Sequence, residues 1–223
     1  MILVVLLLCV GCNDNDNDIV EPEFNVYTAM DDENFIKVCK ATIGGKDVLT
    51  IAEAAAVVRL NAHNRNITSL KGIEYFTGLK VLYCSHNQLQ TIDISKNTNL
   101  LELYCSDNQL QTIDLSANFK LRDLVCSFNQ LQTLDVSKNT MLYYLSCYYN
   151  QLETLDVSKN TELISLLCSN NKLEVLDISN NTKLNQLSAK ANLFTEITVW
   201  KGFEVEKFYD ISVDPGVTFK EKE

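Results

Sequence analysis

From Leu79 onward, apolar and polar positions follow one phrase that returns every 21 residues: L-x-x-L-x-C-x-x-N-x-L-x-x-[IL]-D-[ILV]-S-x-N. Leucines keep step at Leu79, Leu100, Leu121, Leu142, Leu163 and Leu184. Cysteines do so at Cys84, Cys105, Cys126, Cys147 and Cys168, and asparagines from Asn87 to Asn192. A fixed period of this length describes stacked coils, each touching only its neighbours. Every coil has two half-turns. Leu121 to Asn129 reads L-x-x-L-x-C-x-x-N, and Leu131 to Asn139 reads L-x-x-L-D-V-x-x-N. In both, a middle apolar pair alternates with polar residues, as a half-buried strand requires. The pattern predicts a mainly β solenoid with two short parallel strands per coil, stacked at about 4.8 Å.

The Cys-bearing half carries the strand signature of leucine-rich repeats. The double phrase resembles the bacterial leucine-rich-repeat class called IRREKO, which has a 21-residue unit. The match is close over residues 79–183 and loose over 58–78 and 184–204. Five successive units carry the whole phrase, so the resemblance is highly specific.

The ladders are read first as structure. The Cys column lacks the spacings of metal sites, and in-register parallel side chains suit a disulfide poorly, so it reads as packing. The Asn columns, including Asn97, Asn118, Asn139, Asn160 and Asn181, should bond loop backbone, because a buried amide is costly unless paired. Asp93, Asp114, Asp135, Asp156 and Asp177 form an outward column beside serines that can supply hydrogen bonds.

The ends of the stack need closing. Residues 32–39 and 50–58 read as two short helices, the second opened by the capping-box pair Thr50 and Glu53. At the back, Ile197 to Trp200, Phe208 to Val213 and Val217 to Phe219 read as closing strands, with a turn at Asp214-Pro215-Gly216. The cap resembles those of Bacteroidetes surface repeat proteins. Its interhelix loop has one acid, so no calcium site is carried over.

At the N-terminus, Met1 to Val10 is an apolar run too short to span a bilayer. It ends in Cys9-Val10-Gly11-Cys12, which resembles a bacterial lipobox with Cys9 where Leu is usual. The resemblance implies lipid attachment at Cys12. The following Asn/Asp tract resembles the surface-export signals of Bacteroidetes lipoproteins and reads as a disordered tether. The expected organisation is a signal peptide at 1–11, a lipidated acidic tether at 12–30, a helical cap at 31–57, the solenoid at 58–204 and a C-terminal cap at 205–223.

Charge refines this picture. Of 29 acids, eight lie within residues 1–33, which hold no Lys or Arg. The remaining 21 acids face 19 bases, so the repeat body is nearly neutral. With no basic stripe, nucleic acid has no electrostatic footprint. His63 and His86 have no acid/base partner, phosphate loop or metal spacing beside them in the pattern, which argues against an enzyme; no cofactor or metal is implied.

Information sits where the repeat stops repeating, at the outward positions of the Cys-bearing half. Tyr83, Tyr104, Phe128, Tyr144, Tyr148 and Tyr149 should form one aromatic patch over the middle coils, with Glu102 and Asp123 beside it. Such a patch has the profile of an interaction surface. The expected function is a surface-exposed, outer-membrane lipoprotein that binds a host or cell-surface protein or glycan and touches membrane only through its lipid. A structural envelope protein, on either face of that membrane, that self-associates is the alternative.

Overall fold

The computed structural model describes residues 24–223. Cys12, the signal peptide and most of the tether lie outside the described residues. The described residues open with a 3-10 turn (Val26–Ala29), then two helices, α1 (Glu33–Thr42) and α2 (Ile51–Ala56). Six coil strands follow β1 (Arg59–Asn61): β2 (Val81–Tyr83), β3 (Glu102–Tyr104), β4 (Asp123–Val125), β5 (Tyr144–Ser146), β6 (Ser165–Leu167) and β8 (Gln186–Ser188). Together with β10 (Asp210–Ser212) they form one parallel eight-stranded sheet, ordered β1-β2-β3-β4-β5-β6-β8-β10. Pairing is in perfect repeat register, so Leu82, Leu103, Leu124, Leu145, Leu166 and Leu187 form one fully buried column.

Each strand is three residues long because the chain must turn directly after it. The Cys that follows points inward and is fully buried in every coil from Cys84 to Cys168. All are free thiols, and burial pushes the Cys84 and Cys168 thiols up to about 12. The next Asn locks the turn. Asn108 Nδ2 donates to the carbonyls of Cys84 (3.0 Å) and Cys105 (3.1 Å), while its Oδ1 accepts from Leu89 N (3.0 Å). One amide thus ties three segments of two coils. The inner column does less. Asn139 Nδ2 donates to Leu115 O and Asn118 O, but its Oδ1 has no partner.

The second strand of each coil does not form along most of the stack. On the Asp side, regular pairing is confined to β7 (Leu176–Asp177), β9 (Glu196–Val199) and β11 (Thr218–Glu221). Asp114 Oδ1 accepts from Ser116 N at 2.9 Å, and the same Asx-turn recurs at Asp93, Asp135, Asp156 and Asp177. Asp177 makes this turn within β7 itself, so the turn is compatible with pairing, and the ladder there uses Ile178 N, which donates to Thr198 O. In the coil after Asp177, Thr198 and Trp200 replace the Asp and Ser, the turn is lost, and β9 extends to pair with β7.

The front cap is joined to the stack by Asp32. Its Oδ1 accepts from Asn34 N and Phe35 N at the start of α1, and its Oδ2 accepts from Thr68 N and Thr68 Oγ1. Thr50 and Glu53 form the capping box of α2. Residues 24–30, assigned by sequence to the tether, belong to this cap. Val26 is fully buried, its N–H donates to Leu49 O at 2.8 Å, and Tyr27 and Met30 are buried beside it. The cap therefore begins before residue 31, because these apolar residues find their cover only once Leu49 is brought back over them. At the far end, Trp200, Phe203, Phe208 and Phe219 pack together over the last coil.

Candidate interaction surface

The outward residues of β2 to β5 and the turns after them vary from coil to coil. The aromatic side chains fall into two groups rather than one patch. In the first, Tyr83 and Tyr104 occupy the same register position on β2 and β3 and stack at 4.8 Å. Arg59 on β1 lies 5.5 Å over the Tyr83 ring and donates from Nη1 to its Oη at 2.9 Å. Tyr104 Oη donates to Glu102 Oε2 at 3.4 Å.

The second group is built on the turn. Phe128 and Tyr149 stack at 4.6 Å, and Tyr148 meets Phe128 edge-on at 5.1 Å. Phe128 and Tyr149 have φ of 53° and 52°. Their column, His86, Asp107, Phe128, Tyr149, Asn170 and Ala191, is left-handed in every coil. Asn and Asp tolerate that conformation; a bulky ring does not. Tyr144 is half-buried and stacks in neither group.

Asp123 departs furthest from its expected place. Sequence puts it on the exposed face, yet it is only 9% exposed. Glu102 on β3 and Tyr144 on β5 flank it in register, and Tyr143 Oη donates to its Oδ2 at 3.1 Å. Oδ1 has no partner. Burial raises the Asp123 carboxyl above its usual range, against the Tyr143 bond, and the Glu102 charge adds to the rise. Burial likewise raises the Tyr104 hydroxyl, with the Asp123 and Glu102 charges behind it.

The sequence pattern does not single out Tyr143. It precedes β5, in the column Lys80, Leu101, Arg122, Tyr143, Ile164 and Asn185. That column varies as much as the others, which was the available signal. Tyr143, Met141 and Ile164 are all exposed there. The histidines gain a neighbour that spacing did not suggest: His86 Nε2 lies 3.5 Å from Asp107 Oδ2, and the His63 and His86 rings meet edge-on. Among the described residues, no group of three or more His, Cys, Asp or Glu is placed to hold a metal ion.

Comparison with known proteins bears on the fold. No protein-family model matches the chain. The functional domain of InlJ from Listeria monocytogenes, described as including a cysteine ladder, superposes with a TM-score of 0.56 at 24% identity, over 89% of this chain and 61% of that one. A leucine-rich-repeat protein of Leptospira interrogans gives 0.67 at 24% identity, over 77% and 45%. The fold is the leucine-rich-repeat fold. Internalin C2 of Listeria monocytogenes shares it, with a TM-score of 0.61 at 21% identity over 92% of this chain and 99% of that one. In sequence, the chain is 39% identical to Internalin J of Listeria monocytogenes serotype 4b (strain F2365) over 69 residues. Those residues are 30% of this chain, and the aligned part is 8% of that relative.

Proposed function

We propose that this chain is a lipid-anchored cell-surface protein that binds a protein partner through the strand face of its leucine-rich-repeat stack. The observation that carries the reading is the pair of aromatic groups on that face. Stacked coils present long surfaces suited to extended partners. Tyr and Phe are enriched where such surfaces bind, because they combine apolar area with little side-chain entropy to lose. Phe128 and Tyr149 support the reading further. Rings at left-handed positions are a local cost to folding, and such costs concentrate at functional sites.

The test replaces Tyr104, Tyr144 and Tyr148 together with Ala and compares capture of host or cell-surface proteins by the two forms. Loss of a captured protein by a folded variant supports the face. Equal capture by both overturns it. Protease shaving of intact cells tests location, and Cys12→Ser should release the chain from the membrane fraction if Cys12 carries the lipid.

A further inference from the structure

Glu102 and Asp123 are neighbours in register on β3 and β4, and no ion pair among the described residues involves either. Two adjacent carboxylates repel, and the neighbouring Arg122 offsets the Asp123 charge only in part, forming no ion pair with either carboxylate and leaving the Asp123 carboxyl raised. Asp123 is more than nine-tenths buried, and its Oδ1 is left without a hydrogen bond. A buried carboxylate oxygen in that condition is costly and calls for a donor. Tyr104 stands over the pair, its hydroxyl on Glu102. Beside Tyr104 in the same register sits Val125, which is too small to continue the Tyr83–Tyr104 stack. The ring face toward β4 therefore has no aromatic neighbour on that strand.

The molecule already shows what suits this stack. Arg59 lies over the Tyr83 ring and bonds its hydroxyl. We propose that Glu102 and Asp123, with Tyr104 as wall, receive the guanidinium of an arginine side chain presented by a protein partner. The proposal rests on the strand face being the binding face. A guanidinium is planar and weakly hydrated, stacks on tyrosine, and offers forked donors to two carboxylates; an ammonium stacks less well and bonds as a point charge. Tyr143, exposed and held to Asp123 by its hydroxyl, is the group that moves to admit it.

The test titrates the full chain, carrying 13C-labelled tyrosine, with the amides of N-acetylarginine, N-acetyllysine and N-acetylcitrulline, and with calcium chloride. The ring signals of Tyr104 and Tyr143 should shift saturably with the arginine probe. Citrulline, the neutral near-isostere, should bind about tenfold more weakly, and Asp123→Asn should weaken the arginine probe about tenfold. Glu102→Gln should act in the same direction. Asp135→Asn, the same charge change on the opposite half-turn, should leave it unaltered. Circular dichroism confirms that each variant is folded.

Equal binding of citrulline, equal or tighter binding of lysine or calcium, or no effect of both Asp123→Asn and Glu102→Gln would overturn the proposal. Failure here, alongside loss of a partner in the tyrosine variant above, leaves the binding face standing and removes only the arginine assignment. An arginine site without a face-dependent partner removes the binding-face reading and the protein partner with it, leaving only a guanidinium site at Glu102 and Asp123.

Discussion

Phe128 and Tyr149, one coil apart, stack with ring planes 10° apart while both backbones sit in the left-handed region. The stack and the backbone pull in opposite directions. Phe128→Ala removes the ring and keeps the strained φ, whereas Phe128→Gly removes both. Gly at 128 should therefore be more stable than Ala by about 1 kcal/mol. Urea unfolding of the two variants checks this, and equal midpoints would show that the turn carries no strain.

The two Asn columns should differ in cost. Asn129 donates to Cys105 O and Cys126 O and accepts from Leu110 N. Asn129→Leu strands all three groups and should cost about 3 kcal/mol. Asn139 leaves its Oδ1 unused, so Asn139→Leu should cost less by about 1 kcal/mol. Thermal melts of the pair decide the order.

Asp32 is the rivet between cap and stack. Asp32→Ala should destabilise by about 3 kcal/mol, because it uncaps α1 and frees Thr68 together. Burial pushes the Asp32 carboxyl upward, but the bonds from Thr68, Phe35 and Asn34 outweigh it and hold the group below 3.8. Its contribution is thus full above pH 3.8 and is lost as pH falls through the lowered value. Hydrogen exchange in α1 should rise in acid before exchange in β4 does.

Asp123 has the opposite sign. Its carboxyl is raised above 3.8, so the folded chain holds the proton more tightly than the unfolded chain. The favourable contribution is full below pH 3.8 and is lost as pH rises through the raised value. Asp123→Asn should therefore raise the melting temperature at pH 7, and the gain should vanish below pH 3.8. A gain that persisted in acid would mean that charge is not the cause.

The cysteine column should be chemically silent until the chain unfolds. Burial pushes these fully buried thiols up, to about 12 at Cys84 and Cys168, so they present little thiolate. A thiol-reactive dye should label none of Cys84, Cys105, Cys126, Cys147 and Cys168 in native buffer and all of them in denaturant. Labelling in native buffer would show that the stack opens locally.

The sequence by itself determined the coil, its register, and the buried leucine, cysteine and asparagine columns. Each is a consequence of periodicity: a residue every 21 positions must meet its copy in the next coil. The sequence also marked which half of the coil varies. Only the tertiary structure decided that the Asp half curls into Asx-turns, since alternation alone does not say whether a carboxylate will accept from the backbone N–H two residues on. It also split one expected aromatic patch into two, because position within the coil does not report which way a ring leans. It buried Asp123, which sits at an outward position, under Tyr143 from the following coil. Whether an outward side chain stays exposed depends on its neighbours one coil away, and those contacts exist only after the coils have stacked.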